Sequence, residues 1–315
     1  MLSGRRTSGR KHGRDPRSGL PGATGWSNTC AMAVSHARRA CACRQDGGVD
    51  GPSAPPAVLA VWNAPAAAIT GSAALLAGAV LLALSHSETA VAALLVLAVL
   101  MLLALRSGSG AAVDAMTMTI LLYLAVAFDV FGLWPLPGAA AVLAAWWLAR
   151  RTPRGALWRS WLRRGRVTAE LPWLLVLTVL VTAAALLIWQ RLLDGRLPQA
   201  YVDAAAGRPL WLLMTACAGF LLLNAAVEEA IFRGVLQTAL ERVSGPVVAI
   251  IVQAVAFGVL HVVGVPTGIL GAVLAGGWGL LLGLMRWRTQ GLLAPYVAHV
   301  AADATIFCMF LPSLR

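Results

Sequence analysis

Residues 224–240 read NAAVEEAIFRGVLQTAL and place three charged side chains, Glu228, Glu229 and Arg233, inside an apolar run that favours a helix. The runs on either side are also strongly apolar, which indicates lipid surroundings. A charge at bilayer depth costs roughly 2.5–3.5 kcal/mol on insertion scales, so such residues are usually kept for function. Three of them so close together need partners from elsewhere in the chain.

The composition indicates a multi-pass membrane protein. Of the 315 residues, 59% are hydrophobic and only 12% are charged, and the mean hydropathy is +0.77. A soluble domain carries about 25% charged residues. Several apolar runs approach the ~20 residues that cross a bilayer as a helix. We therefore predict an all-α, polytopic transmembrane helix bundle of about eight to nine segments, most simply in the cell membrane.

The chain divides into a tail and two transmembrane parts. Residues 1–56 are rich in Gly, Ser, Arg and Ala without apolar periodicity, which predicts a disordered basic tail. Residues 57–209 form an N-terminal set of transmembrane helices, and residues 210–315 form a C-terminal bundle. The predicted spans are 66–84, 89–105, 115–133, 139–149, 171–189, 210–227, 246–263, 267–285 and 292–311. A turn is predicted at 134–138 and a polar link at 190–209.

The net charge of +12 comes mainly from the tail and from an arginine-rich loop at 150–166, which holds seven arginines. If the N-terminus is cytoplasmic, twenty basic residues fall on inner segments and four on outer ones. This asymmetry follows the positive-inside rule and argues against nucleic-acid binding. The loop is then either an interfacial segment that binds anionic lipid headgroups or a plain cytoplasmic loop.

Two histidines lie in the apolar C-terminal half. His261 follows Phe257 by one helical turn, and His299 precedes Asp303 by four residues. Residues at positions i and i+4 share one face of a helix. His299 and Asp303 are therefore predicted to point into the same space.

Helical spacing also separates the two glutamates. Glu229 and Arg233 are four residues apart with the acid on the N-terminal side, the better orientation for an ion pair. Successive residues of an α-helix diverge by about 100°, so Glu228 and Glu229 are not expected to face one point together. Arg233 is predicted to neutralise Glu229, which leaves Glu228 free to act on a water molecule.

These residues suit more than one chemistry. A glutamate kept from bulk water can act as a general base in hydrolysis, while the histidines bind a divalent metal or donate hydrogen bonds to an oxyanion. Proton or ion relays in transporters use the same residue types. Polar contacts that only hold helices together are the third alternative. Other hydrolase patterns, such as His-Glu-x-x-His and Gly-x-Ser-x-Gly, are absent from the sequence.

The C-terminal pattern resembles the CPBP family, which includes the type II CAAX prenyl proteases and bacteriocin-processing or abortive-infection-like membrane proteins. Residues 228–234, EEAIFRG, resemble its EExxxR motif. Phe257 and His261 match FxxxH, and His299 and Asp303 match the HxxxN or HxxxD motif. Three motifs in this order on successive apolar helices form a specific signal over about a third of the chain, roughly residues 211–311.

The resemblance implies an intramembrane endopeptidase, with residues 210–315 as its catalytic helix bundle. It implies that Glu228 and His261 activate water and that His299 and Asp303 support the oxyanion or complete a metal site. Glu229, Arg233 and Phe257 would support them. A zinc ion held by the four catalytic residues and a metal-free, glutamate-activated water are both open.

The implied substrate is a membrane-associated protein or peptide. An ionised Asp303 cannot donate to an oxyanion as an asparagine can, so it is protonated, orients His299 or binds metal. A non-catalytic immunity or scaffold protein and a proton-coupled transporter are the alternatives to an enzyme.

Overall fold

The computed structural model describes residues 90–128, 134–151, 163–193 and 199–311, together with Gly71 and Gly78. None of these residues lies in a β-strand, in agreement with the predicted all-α fold. The tail, residue Asp129, most of the predicted span 66–84 and residues 152–162 of the arginine-rich loop lie outside the described residues. The proposed division at 209/210 stays a prediction.

Nine α-helices and one π-helical segment make up the described part of the chain. They are α1 (Ala90–Arg106), α2 (Gly110–Ala127), α3 (Leu136–Arg150), α4 (Leu171–Leu193), α5 (Gln199–Ala205), α6 (Leu210–Glu228), the π segment (Glu229–Leu236), α7 (Gln237–Leu260), α8 (Gly268–Thr289) and α9 (Leu293–Phe310).

The protein is an integral, multi-pass membrane protein. Within the described residues, five helical stretches are long and apolar enough to cross a membrane: Gly110–Ala127, Leu171–Arg191, Leu210–Leu260, Gly268–Thr289 and Leu293–Phe310. Two shorter apolar helices, Val91–Arg106 and Leu136–Arg150, accompany them. Large apolar side chains point outward along these helices, as at Trp173 and Ile269, which suits contact with lipid tails.

Most predicted spans coincide with helices to within a few residues, and three of the differences have a local cause. The third span begins at Gly110 rather than 115, because the Ser109 hydroxyl accepts a hydrogen bond from the Ala112 amide and caps the helix there. The predicted turn at 134–138 ends early, because helix α3 begins at Leu136 with a proline in its first turn. The predicted polar link at 190–209 contains the short helix α5, rich in the good helix former alanine.

The 51-residue stretch Leu210–Leu260 is too long for one crossing, since a straight helix of that length would measure about 76 Å. Gly245 interrupts it with φ 78° and ψ 168°, a conformation that glycine adopts without strain, and Pro246 follows. Gln237 Nε2 donates to the Gly283 carbonyl at 3.0 Å, and Gln253 Nε2 donates to the Gly279 carbonyl at 2.9 Å.

Both glutamines, on opposite sides of the break, therefore reach helix α8 within one turn of each other. Sixteen residues of straight helix would separate them by about 24 Å instead. The chain reverses direction at Gly245, and 237–244 and 246–260 run side by side against α8. An ion pair strengthens this end of the packing: Arg286 Nη1 lies 2.5 Å from Glu241 Oε1.

Candidate active site

The charged residues of the opening stretch meet the C-terminal histidines inside the helix bundle. Helix α6 and the π segment contribute Glu228, Glu229 and Arg233, and helix α9 contributes His299 and Asp303. All five side chains are buried, with residue exposures between 0% and 8%. Such a cluster in an otherwise apolar bundle requires that its members neutralise one another.

Glu229 and Arg233 form the predicted ion pair. Arg233 Nη1 lies 2.9 Å from Glu229 Oε1. The Arg233 guanidinium carbon also lies 4.6 Å from the ring centroid of Phe257, a cation–π contact that covers part of the buried charge. Within the described part of the chain, Arg233 Nε and Nη2 and Glu229 Oε2 have no hydrogen-bond partner. The pair is therefore buried without being fully hydrogen-bonded.

The two glutamates diverge, as their spacing predicts, yet both reach the imidazole of His299. His299 Nδ1 lies 2.7 Å from Glu229 Oε1, and His299 Nε2 lies 3.5 Å from Glu228 Oε2. The two ring nitrogens point in different directions, so each can meet one of two diverging carboxylates. The helix also changes from α to the wider π geometry between Glu228 and Glu229.

His299 and Asp303 do share one space, as their spacing predicts. His299 Nε2 lies 3.7 Å from Asp303 Oδ1. The other oxygen, Asp303 Oδ2, accepts a hydrogen bond of 2.8 Å from Asn224 Nδ2 on helix α6. The third motif is thus joined to the helix that carries the two glutamates.

His261 packs against Phe257, which lies one helical turn before it on the same segment. Its Nδ1 lies 2.8 Å from the Phe257 carbonyl oxygen, so this nitrogen donates and Nε2 is the nitrogen that can accept a proton or bind a ligand. The Phe257 ring centroid lies 4.5 Å from that of His261 and 6.2 Å from that of His299. Phe257 is buried, and its ring packs against His261 and lies near His299.

The predicted metal ligands are not arranged as a metal-binding site in the described part of the chain. Among the described residues, no group of three His, Cys, Asp or Glu side chains is arranged so that it could hold a metal ion. A zinc ion on Glu228, His261, His299 and Asp303 stays an untested prediction, and no step of the mechanism below passes through a metal.

Sequence reasoning missed three residues near the cluster. Asn224 precedes Glu228 by four residues in an apolar helix, a signal that could have placed its amide on the same face. Trp134 donates from its indole nitrogen to Asn224 Oδ1 at 2.6 Å, and its position in a turn gave no such signal. Burial raises the pKa of the Tyr201 hydroxyl on helix α5, and the charge of Glu228 raises it further, so Tyr201 lies close enough to the site to sense that charge.

The C-terminal part of the chain has a known family counterpart. Residues 208–305 match the family model described as type II CAAX prenyl endopeptidase Rce1-like. This match confirms the resemblance drawn from the three motifs, and it covers all the candidate site residues except Trp134 and Tyr201. At the coarse level it is a match to a peptidase family. No curated protein and no solved structure matches the chain.

Proposed function

We propose that this chain, with a C-terminal segment similar to CAAX prenyl endopeptidases, is an intramembrane endopeptidase that hydrolyses membrane-associated proteins or peptides. One observation carries the proposal. The carboxylate of Glu228, which is not the partner of Arg233, faces His299 Nε2 at 3.5 Å inside a buried polar cluster. A base and a hydrogen-bond donor side by side are the two groups that amide hydrolysis needs.

In the proposed reaction Glu228 takes a proton from a water molecule, and the water oxygen attacks the carbonyl carbon of the scissile peptide bond. The carbonyl oxygen becomes an oxyanion, to which His299 in its imidazolium form donates through Nε2 while Nδ1 donates to Glu229. The carbon–nitrogen bond then breaks, and Glu228 passes its proton to the leaving amine. Water is consumed and the catalyst is restored.

His261 and Asp303 take supporting roles in this proposal. With Nδ1 held by the Phe257 carbonyl, His261 Nε2 can accept a hydrogen bond from the attacking water and orient it. An ionised Asp303 cannot donate to the oxyanion, so its role is to stabilise and orient His299. The Asn224 amide, bound to the other Asp303 oxygen, supports that role.

Cleavage tests the proposed function. The purified protein, reconstituted in liposomes, is expected to cut a single-span transmembrane peptide at a defined bond, and mass spectrometry of the products identifies that bond. Substrate trapping with Glu228→Gln then identifies the natural partner among co-purifying proteins. A protein that cuts neither the peptide nor any trapped partner would instead be an immunity or scaffold protein of the same fold.

We expect the active protein to work without stoichiometric zinc, because no group of three donor side chains among the described residues is arranged to hold a metal ion. Elemental analysis should find well under one zinc per chain in a preparation that cleaves, and phenanthroline should not inhibit it.

His261→Ala should lower kcat by about 10²-fold through loss of water orientation, within the usual range for acid–base groups. One zinc per chain that disappears in His261→Ala would replace this mechanism with a metal-dependent one.

We also propose that the N-terminus is cytoplasmic and that the end of the arginine-rich loop binds anionic lipid headgroups. Residues 163–166 run along the turn between helices α8 and α9, where the Arg166 amide donates to the Thr289 carbonyl at 2.8 Å. This backbone pairing brings three exposed residues, Arg163, Arg164 and Arg166, next to the segment that follows exposed Arg288. Arginines near a charged membrane surface contribute about 1 kcal/mol each.

Neutralising the loop should therefore weaken lipid binding. The triple variant Arg163→Gln, Arg164→Gln, Arg166→Gln is expected to retain at least tenfold less bound phosphatidylglycerol than the wild type. The amount of bound phosphatidylcholine should be the same in the two proteins. Native mass spectrometry of the purified proteins measures both. The matched control neutralises three arginines on the predicted outer side, Arg191, Arg196 and Arg208. Equal losses in the two triple variants would contradict both the headgroup site and the orientation.

A further inference from the structure

The indole of Trp134 enters the candidate site from the half of the chain that the family match does not cover. Trp134 Nε1 donates to Asn224 Oδ1 at 2.6 Å and to Glu228 Oε1 at 3.1 Å. A tryptophan at a membrane interface ordinarily directs its N–H towards water or headgroups. Here the N–H points inward, at two acceptors one turn apart on helix α6.

The two carboxylate oxygens of Glu228 have different partners. Oε1 is held by the indole, and Oε2 faces His299 Nε2 at 3.5 Å. A carboxylate that is held at one oxygen keeps the other pointing in a fixed direction. Pre-set orientation of a base towards its substrate is a large part of enzymatic rate enhancement.

The Asn224 amide extends the same arrangement to Asp303. Its oxygen accepts from Trp134 and its nitrogen donates to Asp303 Oδ2 at 2.8 Å, so both ends of the amide are engaged. The three residues that this arrangement joins on helices α6 and α9, namely Asn224, Glu228 and Asp303, are all buried. Trp134 therefore connects to both acids that face His299, directly to Glu228 and through Asn224 to Asp303.

The approach of the indole requires a residue without a side chain on helix α3. A Cβ added at Gly138 would lie 2.7 Å from Trp134 Cη2 and 2.7 Å from Val227 Cγ1. Both distances are shorter than real Cβ contacts allow. Gly138 thus lets the tryptophan ring lie against helix α6, although Gly138 itself has no polar group in the site.

We infer that Trp134 is a positioning residue of the active site: its indole N–H orients Glu228 directly and Asp303 through Asn224. The inference rests on the proposed peptidase function, and it assigns part of the site to the N-terminal half of the chain. Because Trp134 acts on groups that take part in bond cleavage and not on substrate, its loss should lower kcat and leave KM unchanged.

The first test is kinetic. Trp134→Phe keeps an aromatic ring and removes the N–H, and kcat is expected to fall about 10- to 100-fold, the value of a hydrogen bond to a charged group. Gly138→Ala, which displaces the ring without altering a polar atom, should lower kcat similarly. Trp147→Phe is the matched control, because Trp147 is half-exposed on helix α3, and it should behave as wild type. Wild-type kcat in Trp134→Phe would overturn the inference.

The second test does not depend on activity. NMR of protein with ¹⁵N-labelled indoles observes the Trp134 N–H directly, and the resonance is assigned by its absence in Trp134→Phe. The chemical shift of this resonance should change in Glu228→Gln. It should not change in the control variant Glu170→Gln. An unchanged chemical shift of Trp134 in Glu228→Gln would overturn the inference even in an active enzyme. A wild type that cleaves nothing would overturn the proposed function, while the resonance still decides whether the indole holds Glu228.

Discussion

Glu228→Gln is expected to abolish peptide cleavage while the helix bundle stays folded. A glutamine side chain has nearly the same shape and can still accept a hydrogen bond from Trp134 Nε1 through its oxygen. Its amide cannot take a proton from water. Since general-base catalysis typically contributes 10²–10⁴-fold, we expect kcat to fall at least 10²-fold with KM nearly unchanged.

The neighbouring acid provides the matched control for this variant. Glu229→Gln makes the same chemical change one residue further along, but Glu229 is the partner of Arg233 Nη1 and His299 Nδ1. Its loss should mainly destabilise the fold, whereas the loss of Glu228 should mainly remove activity. Thermal unfolding in detergent and the rate of peptide cleavage, measured on both variants, separate the two effects.

Two outcomes would contradict the assignment of Glu228. A Glu228→Gln protein that cuts as fast as wild type would show that another group activates water. A wild type that cuts nothing but moves protons across liposomes, with the flux lost in Glu228→Gln, would favour the transporter alternative. Because both assays use the same reconstituted protein, one set of samples decides among the three functions.

The polar contacts of the site could be predicted only where both residues lie on one helix and their spacing determines the contact. The ion pair of Glu229 and Arg233 and the shared face of His299 and Asp303 follow from i,i+4 geometry and are present in the structure. The contact of both glutamates with His299 depends on where helix α9 lies and on the π segment, and no periodicity of side chains specifies either. The catalytic roles of these residues stay predictions.

The helices and membrane spans could be predicted from the sequence, whereas their packing could not. Apolar run length predicts helices and spans because lipid requires that backbone groups be paired within a segment. The predicted span 246–263 begins directly after Gly245, but the sequence analysis did not predict that the chain reverses direction there. The contribution of Trp134 was not predictable, because the direction of an indole N–H across 94 residues of sequence depends on tertiary packing.

Arg233→Met is expected to be the most destabilising of the substitutions proposed. Methionine retains much of the apolar volume of the side chain, but it leaves Glu229 buried with His299 Nδ1 as its remaining partner. Removal of one member of a buried ion pair costs about 3–5 kcal/mol, because the other charge is left in a medium that cannot solvate it. Unfolding in mixed micelles, followed by a helical signal, measures the loss. Wild-type stability in Arg233→Met would refute a structural ion pair.

The double variant Glu229→Gln, Arg233→Met distinguishes the loss of charge pairing from the loss of packing. If the cost of Arg233→Met arises from the unpaired carboxylate, neutralising that carboxylate should recover most of the stability. If the cost arises from a poorly packed side chain, the double variant should be at least as unstable as the single one. In the first case the double variant should fold well and still cleave slowly, because His299 has lost the carboxylate that accepts from its Nδ1 and fixes its orientation. Glu229 would then serve both stability and catalysis, with Arg233 needed only for stability.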